Sequence, residues 1–378
     1  MKKYGKAFMS LAIAMTMLLS VTAVAFAADF TTNATNQNPY VEAYLNELAQ
    51  KGAPLNSSKS DRSDETIASL NSYYQKDVEL SALIKEYAPS DFDVSLISSI
   101  EKEDKISAMH MMQTIYNQIE NDGCKSLVDD YFRRYAKDSG DSQAINFCNS
   151  IFDRKETRKL IMSEITATGI EAKQALEEAL DGSNSNVTRD TSTYDDDFSP
   201  VAAGQWAYNN YNLYNEDFPA FNNGFGSDCT NFVSQALYFG GMEMHDTWYC
   251  HKKNDEYPAP ASAAQLDYSW TLEDPSPWIS VEQFVSFWSS KTDDYYEYTK
   301  ADYTENHSDI LSEPITKGDV IILCNKTLWW TTPAHAMIVS AYDFTERDYL
   351  CAGHSNMRRD LPLVTAVSGY DVVQIYCF

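Results

Sequence analysis

A cysteine at the start of a predicted helix is the first candidate for chemistry in this chain. Cys229 follows the Gly-rich segment 224–228 and opens the apolar-periodic segment 229–239, which a Gly-Gly pair ends. Unpaired backbone N–H groups and the helix dipole stabilise negative charge at a helix N-terminus, so this position favours a thiolate. Ser227 and Asp228 are suited to cap the helix. The pattern predicts a nucleophilic cysteine, with an inert buried cysteine or half of a disulfide as the alternative.

A histidine further along the chain can serve as the base that a cysteine nucleophile needs. His335 precedes the apolar segment 336–341, which predicts a strand that holds the backbone while the ring faces a cleft. Together the two residues predict a cysteine–histidine hydrolase site, and a satisfied structural histidine is the alternative. The neighbouring Trp329 and Trp330 either wall a substrate groove or anchor the core and the loop.

The base requires a polar group that fixes the orientation and tautomer of its ring. The strand predicted at 349–352 lies antiparallel to the strand of His335, so His354 is the first choice for this role. Asn356 is the second choice and Asp343 the third, because Asp343 falls in the predicted turn. A surface histidine is the alternative interpretation of His354.

The oxyanion of an acyl transfer requires two hydrogen-bond donors. The backbone N–H of Cys229 is one candidate, and the side-chain amide of Asn222 or Asn223 is the other. Asn in a Gly-rich loop also serves turn geometry, which is the ordinary alternative. Asp228, directly before the nucleophile, is a further candidate for an orienting residue.

Metal and nucleotide signals are weaker. His245, Cys250 and His251 have loose metal-ligand spacing, and Asp246 adds an oxygen. Zinc is a minor alternative there, because no second cluster completes a tetrahedral site. No Gly-rich phosphate loop supports nucleotide chemistry. The sequence therefore predicts neither a metal nor another cofactor.

Residues 1–28 have the pattern of a secretory signal peptide. Three lysines precede an uncharged apolar segment at 7–24, and Ala25-Phe26-Ala27 is a cleavage site of the A-x-A type. A membrane anchor is the alternative. The pattern predicts a secreted, extracellular protein that has no membrane contact after signal cleavage, and cell-wall association is a further expectation.

Charge and cysteine count add two constraints. The net charge of -26 repels phosphate polymers, so nucleic acid is excluded as a partner. The chain has seven cysteines, and an odd count leaves at least one unpaired thiol or an intermolecular bond. If Cys229 is the free thiol, the other six form disulfides or are buried thiols.

Composition and periodicity divide the rest of the chain in two. Residues 29–181 predict an acidic, all-α helical domain of about five or six helices, and a polar linker follows at 182–197. Residues 198–378 predict an α+β domain in which helices pack on an antiparallel sheet. The predicted helices are 202–211, 229–239 and 281–288, and the predicted strands are 319–323, 336–341, 349–352 and 372–376.

The motifs of the second domain resemble those of a known family. The segment 228–235, Asp-Cys-Thr-Asn-Phe-Val-Ser-Gln, followed by the Gly-Gly pair, resembles the signature of the bacterial putative amidase domain family. The resemblance covers about residues 194–378, and nothing in residues 29–193 resembles a known family. Further similar segments lie at 207–221, 278–284, 318–320, 335–339 and 353–355.

This resemblance implies a papain-like fold, with a layout similar to that of NlpC-type and CHAP-type cell-wall hydrolases. It implies amide hydrolysis through a thioester, with Cys229 as the nucleophile, His335 as the base and His354 as the third residue. The expected protein is a secreted cysteine amidase or peptidase that acts on a peptide or a peptidoglycan-like substrate. The alternatives are a non-catalytic module that binds peptide or glycan, and an acyltransferase, which shares the acyl-enzyme step. The helical domain is expected to position the enzyme or to bind a partner.

Overall fold

The computed structural model of the protein describes residues 38–51, 60–151, 169–182, 198–223, 225–292, 294–354 and 357–378. Contacts divide the chain into two units, Met1–Leu55 and Asn56–Phe378. The first unit contains helix α1 (Pro39–Gln50), which the side chain of Asn38 caps. The predicted signal peptide at 1–28 lies outside the described residues. Within the described ranges, no helix combines the length and the apolar character that a membrane span requires.

The second unit begins with helices, and the predicted helical region before the sheet is confirmed. Helix ends follow local sequence: the Asn121 side chain accepts from the N–H of Cys124 at the start of one helix, and Gly140 ends it in a left-handed conformation. The predicted linker at 182–197, apart from Gly182, lies outside the described residues. These helices are α2 (Ser60–Leu83), α3 (Lys102–Ile115), α4 (Asp122–Ser139), α5 (Ser142–Ile151) and α6 (Gly169–Gly182).

An antiparallel sheet with helices on it follows, so the predicted α+β class is confirmed. The helices are α7 (Pro200–Asn210), α8 (Cys229–Phe239), α9 (Ala263–Ser269), α10 (Val281–Trp288), α11 (Lys300–Ile310) and α12 (Leu363–Val367). The strands are β1 (His251–Lys252), β2 (Trp270–Thr271), β3 (Asp294–Thr299), β4 (Val320–Thr327), β5 (Trp330–Asp343), β6 (Asp348–Gly353), β7 (Arg358–Pro362) and β8 (Val372–Cys377). Strands β1 and β2 pair separately, and the others form one sheet in the order β3-β8-β4-β5-β6-β7.

Side chains alternate along β4 between two apolar layers. Val320 and Ile322 join a buried cluster with residues of α8 and α10. Ile321 and Leu323 join the opposite cluster, with residues of α11 and α12. Successive strand residues point to opposite faces, so helices cover the sheet on both sides. Helix α8, which begins at Cys229, is held against the first face.

The turn into β4 requires glycine. Gly318 has a φ of +96°, and a Cβ at this position would lie 1.7 Å from the carbonyl oxygen of Pro200. Only glycine allows this backbone conformation and this close approach. The contact sets the start of α7 against the start of β4, one of the two central strands of the sheet.

Strand β5 is longer than predicted and contains His335 instead of following it. Its pairing with β4 shifts between Leu323, which pairs with His335, and Cys324, which pairs with Pro333. Proline has no N–H for the ladder, and a bulge is one of the few places where a strand accepts it. The bulge therefore lies directly before His335.

The two tryptophans before His335 anchor the sheet to the helical region. Trp329 Nε1 donates to the carbonyl of Ile100 at 3.0 Å. The ring of Trp330 is fully buried, and its centroid lies 5.5 Å from that of Tyr135 on α4. Of the two interpretations of these tryptophans, the structure supports core and loop anchoring.

Several short elements were not predicted from the sequence. Strand β7 carries exposed charges because it lies at an edge of the sheet, and this hides the alternation of a half-buried strand. The tyrosine-rich segment 295–298, predicted as strand or packing surface, is strand and forms part of β3 at the other edge. The unpredicted elements are β1, β2, β7, α9, α11 and α12.

Candidate active site

Cys229 lies at the first position of α8, and the predicted helix 229–239 is confirmed. The residue is 1% exposed. Phe232, Val233 and Leu237 on the same helix are fully buried, which holds α8 firmly in the core. The thiol therefore lies at the positive end of a fixed helix dipole.

Asp228 organises the loop before the nucleophile, although its side chain makes no capping bond. Its Oδ1 accepts from Asn231 Nδ2 at 2.7 Å and from the N–H of Phe221 at 3.3 Å. Its Oδ2 lies 2.5 Å from His354 Nδ1. Of the two predicted cap residues, Ser227 or Asp228, Asp228 stands at the N-cap position, but its carboxylate binds these three partners and does not cap the helix.

Polar side chains of α8 hold the neighbouring loops. Asn231 Nδ2 also donates to the carbonyl of Pro219 at 2.8 Å, and its Oδ1 accepts from Trp278 Nε1 at 3.1 Å. Ser234 Oγ accepts from Trp248 Nε1 at 3.1 Å and donates to the carbonyl of Trp278 at 3.0 Å. These bonds satisfy buried polar groups and explain why a core helix is rich in polar residues. They also fix the backbone that carries the thiol.

The structure brings His335 to the thiol. One ring nitrogen lies within 4.8 Å of Cys229 Sγ, and the side chain is 14% exposed. The imidazole ring is parallel to that of Tyr370, with centroids 6.3 Å apart. Bulges are common beside active sites because they re-aim a side chain, and the bulge before His335 fits this role.

A third side chain, from α2, completes the cluster, and sequence reasoning missed it. Cys229 Sγ donates to Glu65 Oε1 at 3.2 Å, and Glu65 Oε2 lies 3.9 Å from His335 Nδ1. The hydroxyl of Ser227 donates to the same carboxylate and lies 3.3 Å from Cys229 Sγ. One carboxylate thus contacts both the thiol and the base.

The surroundings of Glu65 disfavour its charged form. Burial raises the pKa of this carboxyl well above its usual range, and the neighbouring Cys229 raises it further. His335 and the hydrogen bond from Ser227 lower the pKa but do not outweigh burial. The Oε2 atom is buried, and none of the described residues forms a hydrogen bond with it. Because like charges this close oppose each other, the site resists charging Glu65 and Cys229 together.

His354 is placed differently from the sequence expectation. Its Nδ1 contacts Asp228, and its Nε2 lies 3.3 Å from the carbonyl oxygen of Asn210. Its ring stacks on Phe232, with centroids 4.1 Å apart. With both nitrogens engaged, His354 acts on the loop of the nucleophile and not on the ring of His335.

The remaining candidates lie apart from this cluster. The exposed Asn223 donates from Nδ2 to the carbonyl of Ala259 at 2.8 Å and accepts from the N–H of Phe225, which is the turn role considered as its alternative. Asp343 accepts from backbone N–H groups of the β5–β6 turn, and Asn222 is exposed. Asn356 lies outside the described residues.

Glu65, Cys229 and His335 are also of the types that bind zinc. One ligand atom from each lies within 4.8 Å of the others, and carboxylate, thiolate and imidazole all ligate zinc. At the other zinc candidate, His245 Nδ1 lies 3.5 Å from Asp246 Oδ2, while burial raises the pKa of Cys250. Among the described residues, Glu65, Cys229 and His335 bring three ligand atoms together, and the residues around His245 do not.

The comparison with protein families covers the half of the chain that carries the thiol and the base. Residues 197–377 match the family model described as a putative amidase domain. The resemblance expected from the motifs is thereby confirmed, and this domain indicates an amidase-like hydrolase. The match includes Cys229, His335 and His354, whereas Glu65 lies outside it. No curated protein and no solved structure gives a significant match.

Proposed function

We propose that the protein is a secreted cysteine amidase or peptidase that hydrolyses amide bonds through a thioester. The observation that carries the proposal is the convergence of the Cys229 thiol and the His335 ring, within 4.8 Å, inside the amidase domain. A thiol at a helix N-terminus with an imidazole close by is the arrangement of an activated cysteine nucleophile.

In the proposed reaction, His335 accepts the proton of the Cys229 thiol, and the thiolate attacks the carbonyl carbon of the amide and forms a C–S bond. The tetrahedral intermediate collapses, the C–N bond breaks, and the amine leaves with a proton from the His335 imidazolium. Water then gives a proton to His335, attacks the thioester and releases the acid, which restores the thiolate. The backbone N–H of Cys229 is proposed as one donor to the oxyanion.

Asp228 and His354 are proposed as positioning residues for the nucleophile. Their contact ties the loop before Cys229 to the end of β6, and Asp228 also binds the first turn of α8 through Asn231. A thiol displaced by a fraction of an ångström loses its alignment with the base, so this support matters for rate.

The papain-like assignment, the location and the substrate belong to the same proposal. The papain-like assignment is supported by the packing of two elements: the helix α8 carries the cysteine, and it packs on the antiparallel sheet that carries the histidine. The signal pattern of residues 1–28 supports export, and a peptide or peptidoglycan-like amide is the proposed substrate. An acidic protein is repelled by anionic wall polymers, so substrate contacts and not net charge would hold it at a cell wall.

The test compares the mature protein with its Cys229→Ala and His335→Ala variants on purified peptidoglycan and on a pool of short peptides. New amines and carboxyls are read by mass spectrometry. Release by the wild type should stop in Cys229→Ala and fall by about 10²–10⁴-fold in His335→Ala. Cys250→Ala, which removes another buried thiol of the same domain, is the matched control and should retain the activity.

Two further outcomes separate the alternatives. Release that a chelator abolishes and zinc restores would contradict the thioester mechanism and favour a metal held by Glu65, Cys229 and His335. The non-catalytic module would be favoured if the protein bound peptide or glycan tightly without releasing amines. In that case Cys229 should also react slowly with iodoacetamide. Transfer of the acyl group to an added amine would identify an acyltransferase.

A further inference from the structure

We infer that α2 is an intramolecular inhibitor, in which the Glu65 carboxylate occupies the place of the substrate's acyl group. This inference rests on the proposed function, because it concerns access to the same thiol. It begins with burial: Cys229 is 1% exposed, so no substrate carbonyl reaches its sulfur in this conformation. Glu65 contacts the sulfur from outside the amidase domain.

The position of the carboxylate is that of a reacting group. A scissile carbonyl must lie close to the nucleophile and also to the base. Glu65 meets this requirement, since Oε1 lies 3.2 Å from Cys229 Sγ and Oε2 lies 3.9 Å from His335 Nδ1. A carboxylate is also the product of amide hydrolysis. Glu65 therefore resembles a bound product that belongs to the chain itself.

The contact also works against the chemistry of the site. A carboxylate next to a thiol opposes the thiolate, and the thiolate is the form that attacks. A catalytic group that orients the base would instead bind the ring without covering the sulfur. Glu65 Oε1 receives the hydrogen bond of the thiol itself, which makes the sulfur a donor to the carboxyl group instead of an attacking group.

Helix α2 is anchored over the site by polar contacts on the face that carries Glu65. Close to Glu65, Thr66 Oγ1 accepts from Asn325 Nδ2 at 2.8 Å, and Ser69 Oγ donates to the carbonyl of Pro333 at 2.8 Å. The spacing of these residues along the helix places them on one side. Pro333 belongs to the bulge before His335, so α2 is bound directly beside the base.

A second anchor lies further along α2. Ser72 Oγ and Lys76 Nζ contact the carboxylate of Glu282 on α10, at 2.6 Å and 2.7 Å. A cavity of about 480 Å³ lies beside this second anchor; Arg133, Glu282 and Tyr295 line it, and neither Cys229 nor His335 does. The approach to the thiol is occupied by α2, and its release would open the site.

The test measures the rate at which iodoacetamide alkylates Cys229, identified by peptide mapping, and the release of amines from the substrates above. Glu65→Ala removes the side chain that covers the thiol, called the plug below, and leaves both anchors of α2 in place. Alkylation should rise by at least about tenfold, which corresponds to about 1.4 kcal/mol of opening free energy. Hydrolysis should rise with it. Glu79→Ala, an exposed acidic residue on the same helix, is the matched control and should behave as the wild type.

The outcomes distinguish this inference from the proposed function. Faster alkylation without hydrolysis would support the plug and overturn the proposed hydrolase. Unchanged alkylation in Glu65→Ala would overturn the plug, and so would lower hydrolysis by a folded variant, since Glu65 would then assist catalysis. If Glu65→Ala does not fold, Lys76→Met carries the test by weakening the second anchor: faster alkylation supports the inference, and an unchanged rate overturns it.

Discussion

Helix α2 places one carboxylate in each of two buried clusters, and the two are built differently. Asp77 is fully buried and accepts from Lys105 Nζ at 2.8 Å, from Arg134 at 2.8 Å and from the Tyr135 hydroxyl at 2.9 Å. Glu65, about three turns earlier on the helix, contacts a thiol, a hydroxyl and one imidazole. In the part of the chain that the structure describes, its Oε2 has no hydrogen-bond partner.

The difference separates structural from functional burial. A buried carboxylate surrounded by cations and a hydroxyl has its charge compensated, and removing one member leaves the others exposed to an apolar interior. A buried carboxylate with an unsatisfied oxygen beside a nucleophile is held by the rest of the fold and not by its own contacts. We therefore expect the Asp77 cluster to stabilise the position of α2 and the Glu65 cluster to control access to the thiol.

The largest expected effect compares the two carboxylates directly. Asp77→Asn should lower the free energy of unfolding by about 3–5 kcal/mol, because Lys105 and Arg134 lose their buried anion. Glu65→Gln, measured near pH 4.5, should change it by about 1 kcal/mol or less, because the carboxyl is neutral there and an amide oxygen can still accept from Ser227 and Cys229. Urea unfolding of both variants measures the difference. If both variants lost the same free energy of unfolding, the contrast between the two clusters would be contradicted and Glu65 would have a structural role.

The next effect is the pH dependence that Glu65 confers. Its pKa in the folded protein is raised above the ordinary 4.5, so its contribution to stability is full below about pH 4.5 and is lost as the pH rises. The unfolding free energy of the wild type relative to Glu65→Gln should therefore fall with rising pH, by at most about 1.4 kcal/mol per pH unit. A constant difference between the two proteins would contradict the raised pKa.

Lys105 should give the opposite dependence. Burial lowers the pKa of Lys105 to about 8 from an ordinary 10.5, although Asp77 opposes the shift. Between about pH 8 and pH 10.5 the unfolded chain binds more protons at Lys105 than the folded protein does, so the free energy of unfolding rises with pH. This added stability is lost as the pH falls to about 8. The unfolding free energy of the wild type relative to Lys105→Met should rise across this window. A fall would show that the ammonium is stabilised in the Asp77 cluster.

The fold was predictable where local signals agree. The helix at 229–239 and the helix at 281–288 have the predicted bounds, because an apolar period and clear breakers mark both ends. Strand β5 was predicted too short, since Pro333 and the threonines before it hide a strand that continues through a bulge. Pairing across a bulge depends on the partner strand, which a local pattern does not contain.

The site was predictable only for residues that local sequence marks. The surroundings of Cys229 and the strand after His335 predicted their meeting. The antiparallel neighbour strand predicted that His354 lies near the site, but the pattern did not predict that its ring contacts Asp228. Glu65 is 164 residues from Cys229, and an acidic residue in a polar helical segment is explained by an ordinary solvated helix face. A contact between distant helices has no local signature.

The smallest expected effect marks the edge of the site. Asn223→Ala should change the free energy of unfolding by about 0.5 kcal/mol or less, because its bonds to Ala259 and Phe225 lie on the surface. The substitution should also have little effect on the rate of amide release, since the Nδ2 of Asn223 donates to the carbonyl of Ala259. The measurement is kcat in a Glu65→Ala background, where the site is open. A loss of about 10²-fold in kcat would identify Asn223 as an oxyanion donor that turns inward once α2 leaves.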